Sequence, residues 1–211
     1  MSFRRISALV STVALMGTAA VAGASSASAD DHDDLGDRSL AKVLAKDGSG
    51  FDDNPWDYDI LDNAVSAVLK AKPDSDVKVL TDGDTALTAF LPNDKAFRRL
   101  VNDLTGSSRG SEKDIFAAVA SVGIDTVEAV LLYHVVPGET IDSRAAKKAD
   151  GAELETALKD KTFTVDVRDG RIILVDNDPD DANARVVQPD INKGNKQIAH
   201  GISRVLRPMD L

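Results

Sequence analysis

The chain has 211 residues, with 25 lysines and arginines against 35 aspartates and glutamates, so its formal net charge is −10. A surface this acidic, without a cluster of basic residues, repels a phosphate backbone, and we expect no nucleic-acid partner. The sequence contains no cysteine, so disulfides are excluded and a cysteine-linked lipid anchor is not expected.

Residues 1–29 have the features of a secretory signal peptide. Arg4 and Arg5 precede an apolar stretch at residues 6–21, and an Ala-Ser-Ala cleavage site ends at Ala29. The apolar stretch is too short and too interrupted for the ~20 residues of a membrane-spanning helix. We therefore predict cleavage after Ala29, secretion of the mature protein and no membrane insertion. The general secretory route is favoured over twin-arginine export, and the mature net charge becomes −12.

The remaining chain divides into an acidic leader, residues 30–38, and one domain, residues 39–211. The leader could bind a divalent cation loosely through His32, but blocks of like charge are usually solvated, and we expect disorder. The length of the remainder suits a single domain with a sizeable core.

The first predicted elements after the leader are helical. Leu40, Val43 and Leu44 indicate a short helix, and apolar residues recurring at helical spacing over residues 60–69 predict an amphipathic helix. Residues 77–80 are predicted to form a short strand, followed by a turn.

A strand, a sharp corner and a capped helix are predicted next. Residues 86–91 have the pattern of a short buried strand, which Pro92 ends because proline cannot donate to a sheet. The Asn93 side chain can cap the following helix, with Asp94 in its first turn and Phe97 on its apolar face.

This unit resembles the first signature of the fasciclin domain, T-x-F-x-P-[TS]-[ND]-x-A-F. Asn93 stands where threonine or serine is usual, and it caps a helix equally well. The matching residues are Thr88, Phe90, Pro92, Asp94, Ala96 and Phe97.

Residues 106–110 spell G-x-S-x-G, the pattern of a hydrolase nucleophile elbow, with Ser108 at its centre. That elbow needs a strand before it and a helix directly after it, whereas a predicted helix precedes this stretch. A flexible loop is the favoured interpretation, with Ser111 and Asp114 capping the next helix.

A second resemblance to the fasciclin domain follows. Residues 125–132 are predicted to continue as a helix into a strand at residues 133–138, where Tyr133 and His134 match the family's Tyr-His pair before V-V-P-G. Tyr133 is a candidate interaction residue on this resemblance. An isolated histidine in an apolar strand can be a base or a metal ligand. No zinc-binding spacing is present, however, so we expect His134 to be structural.

The last third of the chain predicts strands. Residues 162–167 and 171–175 alternate around a turn and predict a hairpin, and residues 184–187 predict a further strand. Residues 176–181 resemble the opening of a calcium loop. Asp181 replaces its glycine and Val187 its glutamate, so we interpret this stretch as an acidic loop.

The closing fasciclin signature, V-I-H-V-I-D-x-V-L-x-P, resembles residues 198–208. Gly201 replaces an apolar residue, and Ser203 replaces an aspartate, so Ser203 can accept a hydrogen bond but carries no charge. The matching residues are Ile198, His200, Ile202, Val205, Leu206 and Pro208. We expect His200, like His134, to be structural.

The order of helices first and short strands later indicates an α+β fold. The fasciclin resemblance implies a wedge of two antiparallel β-sheets, about seven strands, with helices packed along one side. It implies a non-enzymatic module for cell adhesion or cell-surface and matrix interaction, whose partner is an extracellular protein or polysaccharide. No cofactor or metal is expected.

Asp190 and Ile191 match the Asp-Ile of the E-P-D-I-M segment that carries adhesion in animal members, with Gln188 in place of glutamate. They are the main candidate interaction residues. The alternative is structural, with Ile191 in the core and Asp190 capping a turn, and we expect Ile191 to be buried and Asp190 exposed. Two other hypotheses stay open: a serine hydrolase using Ser108 and His200, and a carrier of a small apolar ligand.

Overall fold

The computed structural model describes residues 35–46, 50–52 and 54–209. The predicted signal peptide and the first residues of the leader lie outside the described residues. The helices are α1 Leu40–Leu44, α2 Asp59–Ala71, α3 Asp94–Thr105, α4 Glu112–Ala120, α5 Ile124–Tyr133 and α6 Ser143–Ala146, with a 3₁₀ helix at Asp76–Thr81. The strands are β1 Leu87–Pro92, β2 Val135–Pro137, β3 Glu153–Glu155, β4 Thr162–Arg168, β5 Arg171–Val175, β6 Ala184–Ile191 and β7 Gln197–Ile202.

The seven strands form one mixed sheet in the order β2-β1-β7-β6-β5-β4-β3. All neighbouring strands are antiparallel except β1 and β7, which run parallel. The sheet curls until its edges approach, and the Ala157 N–H beyond β3 donates to Val135 O of β2 at 2.8 Å. The fold is fasciclin-like, but the prediction of two antiparallel sheets is wrong, since a single nearly closed sheet is found.

The predicted strand–corner–helix unit is confirmed at β1 and α3. The Ala96 N–H donates to Asn93 Oδ1 at 3.0 Å, which satisfies a backbone donor at the helix start. Helix α3 ends at Gly106, whose φ of 74° is the left-handed conformation that favours glycine. Every residue of β1 is buried, so this strand lies at the centre of the molecule.

Two apolar cores lie on the two faces of β1. Leu87, Ala89 and Leu91 pack with the helices α2 to α5, whereas Phe90 packs with residues inside the curled sheet. Alternation along the strand sends successive side chains to opposite faces.

Two local predictions are wrong. Residues 77–80 form part of a 3₁₀ helix because the Val77 N–H donates to the Ser75 side chain and starts a turn. Helix α5 continues through Tyr133 with His134 as its C-cap, so the predicted strand begins only at Val135.

Among the described helices, none alone is long and apolar enough to cross a membrane. The pair α4 and α5 meets the length and composition together, but the two helices are bent by 102°.

Candidate functional site

The end of β6 leaves the regular sheet. Its pairing with β7 is irregular on both sides of Gln188, and β5 pairs with β6 only at Ala184 and Arg185. Asp190 and Asn192 have positive φ angles of 61° and 65°, which aspartate and asparagine tolerate better than most residues. The backbone at residues 187–192 is therefore held in an unusual conformation, as segments at binding sites often are.

The Asp190 carboxylate is fixed from within the protein. The Ser143 N–H donates to Asp190 Oδ1 at 2.7 Å, and Ser143 Oγ donates to Asp190 Oδ2 at 2.8 Å. The Lys193 ammonium lies 3.2 Å from Asp190 Oδ2. Burial alone raises the pKa of Asp190, but the hydrogen bonds from Ser143 and Lys193 outweigh burial and lower it. This carboxylate joins α6 to β6, which leaves little of it for a partner.

Ile191 and Tyr133 also contribute to the interior. Ile191 is half-buried against the helical core, and Asp190 is half-buried as well, so the expected contrast between them is not found. Tyr133 has no exposed surface, and its hydroxyl donates to Thr162 O at 2.8 Å. Asn177 Nδ2 donates to that hydroxyl at 2.9 Å, so both hydrogen-bonding roles of Tyr133 are used internally. Tyr133 cannot contact a partner in this conformation.

The exposed side chains of the same segment are Val187, Gln188 and Pro189. The Tyr58 hydroxyl donates to Gln188 Oε1 at 2.8 Å and joins this segment to the loop before α2. Trp56 in that loop keeps 57% of its surface exposed. We call these five residues the Trp56 surface.

Two further contacts shape the Trp56 surface. The Lys95 ammonium lies 4.5 Å from the centroid of the Trp56 ring, a cation–π contact that orients the indole. A Cβ on Gly201 would lie 2.2 Å from the Tyr58 hydroxyl oxygen, so glycine is required for Tyr58 to reach Gln188. This explains why Gly201 replaces the apolar residue of the family signature. Sequence reasoning missed Trp56 and Tyr58, and the unusual Gly201 was the one signal that could have indicated them.

The two histidines of the signatures are embedded in hydrogen bonds. His134 accepts from the Leu206 N–H at 2.9 Å and its other ring nitrogen lies 2.6 Å from Val130 O. His200 accepts from the Asp190 N–H at 3.2 Å, and its Nε2 lies 2.8 Å from Ile141 O. Burial lowers the pKa of His134 to about 4 and also lowers the pKa of His200, so both rings are neutral.

The geometry does not support a serine hydrolase. Ser108 lies in the loop between α3 and α4, so a helix precedes it where the nucleophile elbow needs a strand. The acceptor nitrogen of His200 is occupied by the Asp190 N–H, and no hydrogen bond joins Ser108 to His200 in the described part of the chain.

The remaining residues of the first signature organise the fold. Thr88 Oγ1 donates to Glu139 O at 2.7 Å and accepts from the Ile141 N–H at 2.8 Å. Phe90 packs edge-to-face on Phe163 with ring centroids 5.2 Å apart. Pro92 and Phe97 are buried at the β1–α3 corner.

An apolar cavity of about 160 Å³ lies among helices α2 to α5. Leu104 and Val122 at its rim are 39% and 44% exposed. Its lining also includes Ala64, Pro92, Phe97, Leu100, Val119, Thr126, Val127, Val130, Leu131 and His134.

Two groups of acidic side chains differ in how their charge is balanced. In the acidic loop after β5, Arg207 Nη1 lies 3.0 Å from Asp178 Oδ2, and the Arg207 N–H donates to Asp176 Oδ2 at 2.7 Å. The second group comprises Asp57, Asp94 and Glu112, each of which offers one carboxylate oxygen within 4.8 Å of the others. These three residues lie far apart in the sequence, so no spacing pattern could reveal them.

The fold is thus an α+β domain with a seven-stranded, nearly closed mixed sheet. The model of the family described as Fasciclin domain matches residues 61–208, and the chain belongs to this family. Fasciclin domains are generally non-enzymatic and linked to adhesion.

A solved structure of a FAS1 domain pair from the insect cell adhesion molecule fasciclin I is similar to the chain. The identity is 18% and the TM-score 0.50, and the match covers 73% of this chain and 48% of that one. The chain therefore spans about half the length of that relative, and the likeness shows the fold alone. No curated protein matches the sequence.

Proposed function

We propose that the chain is a secreted, non-enzymatic module that binds an extracellular protein or polysaccharide at a cell surface. The observation that carries the proposal is the Trp56 surface. Its exposed indole lies two residues before Tyr58, whose hydroxyl bonds Gln188 in the segment that matches the family's adhesion position. Tryptophan and tyrosine are the residues most often found to dominate binding energy at interfaces.

The proposal assigns different roles to neighbouring residues of one segment. Asp190 and Ile191 hold the segment to α6 and to the core, while Val187, Gln188 and Pro189 face outward. Pro189 has no N–H to donate, so this part of β6 is a poor edge for pairing with another strand. Recognition through side chains rather than through an added strand is therefore favoured.

The test is binding of the labelled mature protein to purified cell walls of the producing organism, measured by co-sedimentation. We expect Trp56→Ala to weaken binding by tenfold or more, which corresponds to loss of about 1.4 kcal/mol. Met209→Ala is the control, because Met209 is exposed and lies outside both the Trp56 surface and the lining of the cavity among α2 to α5. Equal binding by Trp56→Ala and the parent would contradict the proposal.

A second candidate function, carriage of a small apolar ligand, is favoured by the cavity among α2 to α5. Its volume of about 160 Å³ is close to that of an engineered apolar cavity of ~150 Å³ that binds benzene. We expect benzene to raise the melting temperature of the parent and not that of Val127→Phe, whose larger side chain fills the cavity. Equal melting of the parent with and without benzene would exclude this function for ligands of that size.

A further inference from the structure

Three buried carboxylates meet where three helices begin. Asp57 precedes α2, Asp94 is the first residue of α3, and Glu112 is the first residue of α4. Their exposed fractions are 8%, 0% and 1%, and one oxygen from each lies within 4.8 Å of the other two. Burial of this much negative charge requires compensation.

The hydrogen bonds of Asp94 and Glu112 account for only half of their oxygens. The Ile60 N–H donates to Asp94 Oδ1 at 3.1 Å, and the Asp52 N–H donates to Glu112 Oε2 at 2.9 Å. Asp94 Oδ2 and Glu112 Oε1 are buried and have no hydrogen-bond donor. A buried carboxylate oxygen without a donor points to a missing cation or proton.

Positive charge from the protein is weak at this cluster. The three helix starts contribute a partial positive charge that favours carboxylates, but it falls off within the first turn. Arg98 Nη2 forms a long ion pair with Glu112 Oε1 at 3.8 Å, which is beyond hydrogen-bonding range. In the acidic loop after β5, by contrast, a buried guanidinium bonds the carboxylates directly.

We propose that Asp57, Asp94 and Glu112 bind a calcium ion. All the ligands are carboxylate oxygens, which hard cations prefer, and the cluster contains no histidine or cysteine to favour zinc. Oxygens on opposite sides of a calcium ion lie up to ~5 Å apart, since each is ~2.3–2.6 Å from it, whereas magnesium needs shorter spacings.

The side of the site that faces Asp52 offers further carboxylate ligands and a route by which an ion could enter. Asp52 is exposed, and its carboxylate lies within 4.8 Å of those of Asp57 and Asp59. A bound ion would join the N-terminal ends of α2, α3 and α4, and it would fix the loop that carries Trp56.

The main alternative is a proton shared between Asp57 and Asp94, as happens where two carboxylates cannot both ionise. A divalent ion must displace that proton, so a site built to hold the proton binds the ion weakly, if at all, at neutral pH. Measurements of ion binding therefore distinguish the two directly.

The experiment uses terbium, a luminescent substitute for calcium, with the mature protein. Trp56 is the single tryptophan and directly precedes Asp57, so excitation of its indole should sensitise terbium bound at this site. We expect sensitised emission that millimolar calcium displaces, since extracellular calcium modules bind with Kd of ~10⁻⁴–10⁻³ M. Calcium should also raise the melting temperature relative to a sample in EDTA.

Two variants assign the binding to these residues. Asp94→Asn and Glu112→Gln keep an oxygen that can accept from the Ile60 and Asp52 N–H groups, so the fold should be retained. Each should weaken terbium affinity by about tenfold or more, because calcium affinity follows ligand charge. Asp74→Asn, an exposed acid outside the cluster, should bind as the parent. Absence of calcium-displaceable emission, or emission unchanged in both folded variants, would overturn the proposal.

Discussion

Ser143 donates two hydrogen bonds to Asp190, from its backbone N–H at 2.7 Å and from its hydroxyl at 2.8 Å. The pair joins the first residue of α6 to the end of β6, 47 positions apart. Through its own N–H, Asp190 also reaches His200 in β7. A residue that matches a family adhesion motif is therefore a structural link in this chain.

We predict that Asp190→Ala lowers the free energy of unfolding by about 1–3 kcal/mol, because it leaves the Ser143 N–H without its acceptor. Asp190→Asn should cost less, since its amide oxygen can still accept one of the two bonds. Thermal denaturation of both variants checks this, and a curve for Asp190→Ala that overlays the parent would contradict it.

The close approach of Tyr58 to Gly201 predicts that any side chain at position 201 lowers stability. Gly201→Ala places a Cβ 2.2 Å from the Tyr58 hydroxyl oxygen and 3.0 Å from Gln188 Cβ. We expect a loss of about 1–3 kcal/mol from overpacking. Tyr58→Phe removes that oxygen, so the double variant should recover part of the loss. Additive losses in a double-mutant cycle would show that the two residues do not interact.

His134 makes the fold sensitive to acid. Its pKa is lowered to about 4 in the folded state from an ordinary value of 6.5, so the unfolded chain binds the proton more tightly. The stability that neutral His134 contributes is complete above pH ~6.5 and is lost as the pH falls through ~4. His134→Gln should weaken this acid dependence in urea unfolding curves measured across that range. An unchanged pH profile would exclude His134 as its source.

When no divalent ion is present, Asp94 is predicted to make the protein less stable as the pH rises, which is opposite to the effect of His134. Burial raises its pKa to about 8 from 3.8, so the folded state binds the proton more tightly than the unfolded chain. Its favourable contribution is therefore complete below pH ~4 and is lost as the pH rises through ~8. In EDTA, Asp94→Asn should flatten the decline of stability between these values, whereas Asp74→Asn should not. If stability declined with pH equally steeply in Asp94→Asn and Asp74→Asn, Asp94 would not be the source of the decline.

Export is predicted to produce a mature chain that begins at Asp30. N-terminal sequencing of the protein in culture supernatant tests this. A chain that retains Met1 in the membrane fraction would contradict both cleavage and release.

Local features of the fold could be predicted from the sequence because their physical cause is local. Asn93 caps the helix that follows it directly, and Ser111 forms its capping box with Asp114 three residues later. The fasciclin resemblance implied about seven strands, and the described residues form seven. The sheet itself could not be predicted, because the parallel pairing of β1 with β7 joins strands separated by most of the domain.

The candidate site depends more than the helix caps do on contacts between residues that are distant in the sequence. Asp190 looked exposed because Gln188 and Asn192 are polar, but its true partner, Ser143, lies in another element. Tyr58 and Gln188 are 130 positions apart, and neither has a local pattern that indicates their hydrogen bond. Local pattern identified the right segment, and tertiary structure decided which side chains face solvent.

The role of Trp56 in recognition is tested by comparing Trp56→Ala with Ile191→Ala in both cell-wall binding and thermal melting. Ile191 is half-buried, so its truncation should lower stability by less than the ~2–5 kcal/mol of a fully buried isoleucine. We predict that Ile191→Ala melts at a lower temperature than the parent yet binds as the parent does at temperatures where it is folded. Trp56→Ala should melt as the parent and bind at least tenfold more weakly. Loss of binding in folded Ile191→Ala, with full binding in Trp56→Ala, would show that Ile191 and not Trp56 is the recognition residue.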